Sequence, residues 1–430
     1  MSKFNISSLA MAVIFSGSSN VTFAEQASAL PSISMNRNIL AQGQHWRKTL
    51  IAQISQHPTL VAQRQIMASK YSQANGLRQA LYNPELASSV EKEGDFTNYS
   101  LAINQTFDWW DKANVRAKTA DFQVKSALQS YRAKWQSIIA ETLKALVQYA
   151  SSAKRSELAL AQEQGIYILI AQVKERQAVG DLGPLDSQLA LYSLGQKYSD
   201  TAKLVAEFEQ IKIMAQQFIP SLNDQEISIP DQFWQSLPTV FPLDSVQRHP
   251  LVLAQHARWQ IAKQNARLVN LDTKAEPTFG VSAGKSAGES TVGLNVSIPL
   301  NIRNDYSNEA RAASQSALAI ESELKALLQA KKYQLKASIS TVREYKKRFE
   351  SWQQLMADEQ TSSDMLIAKL WRSGEINTND YLMSIQQISD GKLAGIDMQE
   401  AYQLALIDAL TQSGQLIDFI SPPAKNFRTQ

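Results

Sequence analysis

The 430-residue chain contains no cysteine. Disulfide bridges are excluded, and so is lipid acylation at an N-terminal cysteine. Histidine is nearly as scarce, at four residues, and with scattered methionines it composes no metal cluster. There is no His-Glu-x-x-His, no glycine-rich phosphate loop and no Gly-x-Ser-x-Gly. The residues thus carry none of these catalytic motifs and point to no metal or cofactor. An excess of charge of one sign is also missing. The 43 Lys and Arg against 40 Asp and Glu leave +3, which lacks the basic footprint of a nucleic-acid binder. No stretch beyond the N-terminus approaches 18 continuous apolar residues, so no transmembrane helix is expected. A membrane-inserted form must then be a closed β-barrel. Glycine (16) and proline (13) are sparse, while Ala, Gln, Leu and Ser dominate, a composition that favours long helices.

The N-terminus has the pattern of a secretory signal over residues 1–24. Lys3 supplies the positive end and Leu9–Phe15 a short apolar core. Thr22-Phe23-Ala24 offers a small-residue cleavage site.

The rest of the chain is written twice. His57-Pro58, Asn83-Pro84 and the Gly180/Asp186 pair return as His249-Pro250, Glu276-Pro277 and Gly374/Asp380, each 192 to 194 residues later. That period far exceeds a solenoid unit and marks a duplicated half. No Pro or Gly interrupts 112–164, and 305–373 contains neither. Helices of this length reach roughly 100 Å. In the first of them, two apolar stripes step by 3 and 4. One runs through Leu128, Tyr131, Trp135, Ile138, Thr142 and Ala145. The other takes Ile139, Leu143, Leu146, Ala150 and Ala153. Two stripes mean packing on two sides.

Each long helix ends at a break. Gly180 and Gly374 suit the left-handed position that closes a helix. Pro184 fits the first turn of the outgoing helix, and Thr378 or Asn379 caps its counterpart. Ahead of each long helix the period changes to two. Tyr99, Leu101 and Ile103 alternate with small polar residues, as do Val292, Leu294, Val296, Ile298 and Leu300. Leu86, Ser88, Val90 and Phe279, Val281, Ala283 continue that outer face on partner segments. Gln105 is its one exception on 99–107. Turns at Gly94-Asp95 and Gly288-Glu289 close two hairpins, 85–108 and 278–300. Their strands are long enough to cross an outer membrane at a tilt. Tyr82, Trp109 and Trp110 sit at strand ends, where an aromatic girdle would lie. Pro220, Pro230, Pro238 and Pro242 break 219–244 into an irregular linker.

The order helix, hairpin, long helix, tip and returning helix, given twice, resembles the TolC-like outer-membrane efflux family. The likeness runs over repeats at 36–218 and 245–418, followed by a 419–430 tail. Ser55-Gln56-His57-Pro58 resembles the cation-efflux branch. The resemblance implies an α+β fold: a membrane β-barrel of twelve strands from a homotrimer, continued as a long α-helical coiled-coil barrel through the periplasm. It implies an exit duct serving a periplasmic adaptor and an inner-membrane pump of the resistance-nodulation-division type, or a type I secretion system. It also implies that the chain is no enzyme, contacts outer-membrane lipid and has no nucleic-acid partner. The tip residues Gly180, Gly183, Pro184, Gly374, Asn377 and Asn379 become the adaptor contact. Asp380 and Asp186 match the family's tip aspartates, and Asp380 is the better gate candidate. A three-fold carboxylate ring there would attract cations. The family's lock arginine is replaced by Ile376, which leaves Arg176 and Arg372 as substitutes. Two other readings stay open: a pump-independent porin-like channel, and a structural periplasmic coiled coil without a pore.

Overall fold

In a computed structural model, residues 46–220, 229–238, 240–356 and 363–420 are described. The signal reading for 1–24 and the helix continuity across 357–362 lie outside the described residues. The described chain is mostly helical with one small sheet. Helix α1 (46–55) leads into α2 (Pro58–Leu77), then strands β1 (Glu85–Glu93) and β2 (Phe96–Thr106). The long α3 (Lys112–Ala178) and the returning α4 (Pro184–Gln216) complete the first copy. A short α5 (Asp231–Gln235) and a 3₁₀ turn (Leu243–Arg248) precede the second: α6 (Pro250–Asp272), β3 (Thr278–Ser286), β4 (Glu289–Ser297), α7 (Ser307–Met356), α8 (Ser363–Arg372), α9 (Thr378–Ser413) and α10 (Leu416–Ile420).

Helix α3 has 67 residues, so it is about 100 Å long. It starts where both carboxylate oxygens of Asp108 accept from the Lys112 and Ala113 amides, at 2.8 and 2.7 Å. Near the sheet, α3 is flanked by α2 and α6. Toward the tips, α4 and α9 flank it. That is why its apolar residues face two ways: Ile138, Ile139, Thr142, Leu143 and Leu146 are all buried. Polar ties fix the α3–α9 register. Arg155 reaches Asp397 at 2.8 Å and also holds Glu400, and Lys144 meets Asp408 at 2.5 Å.

The sheet is antiparallel in the order β1-β2-β3-β4. Its register puts Leu86 beside Ile103, Ile103 beside Val281, and Val281 beside Leu294. One face is therefore apolar and open to the surroundings. Leu86 is 75%, Val90 77%, Val292 81% and Leu294 84% exposed. The other face is small and polar. Ser89 and Ser100 share a hydrogen bond of 2.8 Å, and Thr106 and Thr278 one of 2.7 Å. Asn295 Nδ2 donates to Asn104 Oδ1 at 3.0 Å directly over Gly280, where an added Cβ would lie 2.0 Å from that oxygen. Only glycine fits beneath this bridge.

Three sequence expectations shift here. The second turn is Ala287-Gly288, not Gly288-Glu289; both turn residues have positive φ, 50° and 87°, as a two-residue type I′ hairpin requires. Strand β4 stops at Ser297 rather than near 300, because Pro299 has no N–H for the ladder. Strand β2 likewise ends at Thr106 rather than 108. Among the described residues, no helix is long and apolar enough to cross a membrane.

Candidate functional site

The two repeated histidines are structural. His57 and His249 each precede a proline that opens a helix, and each Nδ1 accepts the amide two residues on, at 3.3 and 3.2 Å. They satisfy one of the amides left free at a helix start. His249 is only 2% exposed. Its pKa is lowered to about 4 by burial, then by the Lys331 ammonium, against a backbone hydrogen bond to Thr411. Accepting at Nδ1 leaves the ring proton on Nε2. His249 thus pins the start of α6 to the end of α9 in its neutral form.

Where strands meet helices, a polar knot joins the two copies. Lys112 is buried and pairs with Asp272 at 3.0 Å and Glu276 at 3.1 Å. Burial opposes its charge, but these carboxylates more than offset that and raise its pKa. The Tyr82 hydroxyl donates to Glu276. Burial, then Glu276, holds the phenol above its usual range. Trp110 Nε1 donates to the Ala275 carbonyl at 2.8 Å, with Lys274 Nζ 4.4 Å from its ring centre. Trp109 is 65% exposed. Of the three aromatics, Tyr82 and Trp110 are tied into this joint and Trp109 is open.

The tips share one backbone. Gly180 and Gly374 have φ of 81° and 75°. The next two amides fold back onto a single carbonyl, Asp181 and Leu182 onto Arg176, Glu375 and Ile376 onto Leu370. This closure satisfies the last carbonyls of each incoming helix. The outgoing helices start differently. Gly183 offers α4 no side-chain cap, and Pro184 occupies its first turn. The α9 cap is Asn377 rather than Thr378 or Asn379. Its Oδ1 accepts from the Asp380 amide at 2.8 Å, and its Nδ2 donates to Asp380 Oδ2 at 2.7 Å. Thr378 is instead buried beside Trp371, whose Nε1 donates to its hydroxyl at 3.4 Å.

Asp186, Asp380, Asn379 and Arg372 are all exposed. Among the described residues none of the two aspartates and Arg372 forms an ion pair. Arg176 is different. Its guanidinium lies 4.8 Å from the centre of the Trp371 ring, donates to the Trp371 carbonyl at 3.4 Å and stands 3.7 Å from Asp181. Trp371 stacks on Tyr381 with ring centres 4.3 Å apart and planes 2° from parallel. Arg176, Trp371 and Tyr381 thus form a clasp from the first tip to the second. Ile166, Leu169, Val173, Ala190 and Leu194 bury it. Sequence reasoning did not single out Trp371 or Tyr381. The signal was the repeat itself. At the same offset the first copy carries Gln177 and Ser187, so an aromatic pair replaces a polar one.

An open four-stranded sheet at one end of a set of very long helices defines the fold. The chain has the TolC-like fold. Its structure resembles the outer-membrane channel OprN over 86% of this chain and 90% of that one, with a TM-score of 0.71 and 14% identity. It resembles CusC over 86% and 92%, at 0.70 and 14% identity. The Campylobacter jejuni CmeC outer membrane channel matches over 92% and 94%, at 0.68 and 12% identity. No family model and no curated protein sequence matches the chain.

Proposed function

We propose that this chain is one subunit of a homotrimeric exit duct in the bacterial outer membrane, extending into the periplasm and catalysing no reaction. The carrying observation is the sheet. Among the described residues β1 and β4 each pair on one side only, and the apolar face is exposed. Unpaired edges and a broad apolar face have one common remedy: edge-to-edge closure with further copies, the apolar side in lipid. Three copies give twelve strands with the Ser, Thr, Asn and Gly face as a wet lumen. The fold shared with known outer-membrane channels supports this reading.

The partners follow from the same reading. Substrate enters from an inner-membrane pump of the resistance-nodulation-division type, or a type I secretion pump, through a periplasmic adaptor that docks on 178–186 and 372–380. The division into a signal (1–24), two repeats (36–218, 245–418), a linker (219–244) and a tail (419–430) belongs to this proposal, as does the cation-efflux branch. Three copies of Asp380, flanked by Asp186, form the carboxylate ring at the entrance. Arg176 supplies the lock that Ile376 cannot, with Arg372 available to a neighbouring subunit. Trp109 marks the membrane boundary.

Detergent extraction tests the class. A duct is extracted as a trimer and gives channels of low conductance. A carbonate-extractable protein without channels supports the structural coiled coil. Channels fully open without a partner, with efflux unaffected by deletion, support the porin-like reading.

A further inference from the structure

A recess of about 660 Å³ lies between the inter-repeat linker, α7 and α9. Its volume falls in the range of small-molecule sites, roughly 300–1,000 Å³. The floor is apolar and buried, made by Leu237, Phe241, Val342 and Leu406. Arg343, Lys346 and Lys347 line one wall from α7, and Trp234 and Tyr402 line the others. One carboxylate belongs to the lining, Glu350, and it pairs with Lys346 at 3.8 Å. Arg343 and Lys347 form no hydrogen bond or ion pair among the described residues. Neither does the Tyr402 hydroxyl or the Trp234 indole N–H.

The chemistry of this lining is one-sided. Arg, Lys and the indole N–H only donate, and a phenol donates readily. Arg343 and Lys347, exposed at the rim, and the Trp234 indole N–H can meet an acceptor, and the Tyr402 phenol is held protonated by burial and then by Glu350. Around an apolar floor this set fits an acceptor-rich, anionic partner with an apolar body. Aromatic rings hold such a body, and the cations fix its charged end. Arg343 stands 36 residues along α7 from Ser307, or about 50 Å from the sheet end. Surface charges are screened beyond about 10 Å, so a bilayer headgroup does not reach this recess.

We infer that this recess binds a soluble amphipathic organic anion, a carboxylate, sulfonate or phosphate on an aromatic or aliphatic body. Such a ligand bridges the linker to α7 and α9, and so braces the middle of the wall. The site is composed of one chain's residues and is separate from the tips. The inference rests on the membrane-inserted reading, and its test reads binding rather than conductance. Failure to enter nanodiscs would count against that reading, whereas unselective binding in nanodiscs would count against the recess.

The full-length protein in neutral-lipid nanodiscs is titrated calorimetrically with naphthalene-2-sulfonate and with its uncharged counterpart 2-naphthalenemethanol. The expected result is one sulfonate per chain, held at least tenfold tighter than the alcohol and weakened by salt. Arg343→Gln with Lys347→Gln, and separately Trp234→Leu, should each weaken sulfonate binding at least tenfold in protein that still elutes as wild type. Nanodiscs carrying anionic lipid should leave the affinity unchanged. Equal binding of sulfonate and alcohol overturns the inference, as does undiminished binding in both variants. Loss of sulfonate binding in anionic nanodiscs would assign the recess to lipid instead, and would also overturn it.

Discussion

The two tips have the same backbone and different closures. At equivalent positions, the first tip sets Ser187 Oγ donating to Gln177 Oε1 at 2.7 Å, and the second sets Tyr381 against Trp371 at 4.3 Å. The hydrogen bond is worth about 1 kcal/mol net. The stack adds about 0.5–1.5 kcal/mol to the burial of two large rings. Arg176 then lends the first tip's charge to the second tip's ring. Duplication preserved the turn, where φ leaves little choice, and relaxed the residues that hold the turn shut. The second tip is the dry, aromatic anchor, and the first is the polar element leaning on it.

Substitutions at matched positions separate these roles. Trp371→Ala should cost the most, about 3–5 kcal/mol, whereas Ser187→Ala should cost about 1 kcal/mol. Limited proteolysis should cut the Trp371→Ala variant around 372–380 well before 178–186. Equal sensitivity of the two variants would erase the asymmetry.

The paired histidine caps come next. His249 is the deeply buried one, and its pKa near 4 lies below the ordinary 6.5. The unfolded chain therefore takes up the proton first on acidification. The stabilisation is complete above about pH 6.5 and is lost as pH falls toward 4, by about 3 kcal/mol. Denaturant melts across pH 4–7 should show this slope, and His249→Asn, which keeps a capping oxygen, should flatten it. An unchanged slope in His249→Asn would assign it to other groups.

Gly180→Ala and Gly374→Ala probe what the copies share. Each forces a Cβ into the left-handed region at about 1–2 kcal/mol, and the two melting shifts should agree. A large mismatch would mean that the turns are not equivalent. The smallest contrast is in the caps. Asn377→Ala should cost about 1 kcal/mol, while Gly183→Ala should cost no more than that, because no side-chain cap is lost. A larger loss at Gly183 would contradict the capping assignment.

What the sequence disclosed follows the range of the forces involved. Period-two alternation placed Leu86, Val90, Leu101, Ile103, Val281 and Leu294 on one face, because strand geometry is local. Pro58 and Pro250 marked helix starts for the same reason. The Ala287-Gly288 turn was misplaced by one residue, since an alanine at positive φ leaves no compositional trace. The Asn377 cap was missed because Thr378 and Asn379 are equally good capping residues, and only the path of the chain selects among them. The clasp was less legible still. Arg176 and Trp371 are 195 residues apart, and nothing in either segment announces the other. The Gln177-to-Trp371 and Ser187-to-Tyr381 exchanges were visible only with the two copies laid side by side.

Under the proposed function, Arg176 on Trp371 holds the duct shut at its tips. Single-channel recording in planar bilayers compares the wild-type trimer with Arg176→Ala. The wild type should give small, brief openings, and Arg176→Ala a several-fold larger conductance. Identical conductance in the two proteins, or no channel from either, would contradict this.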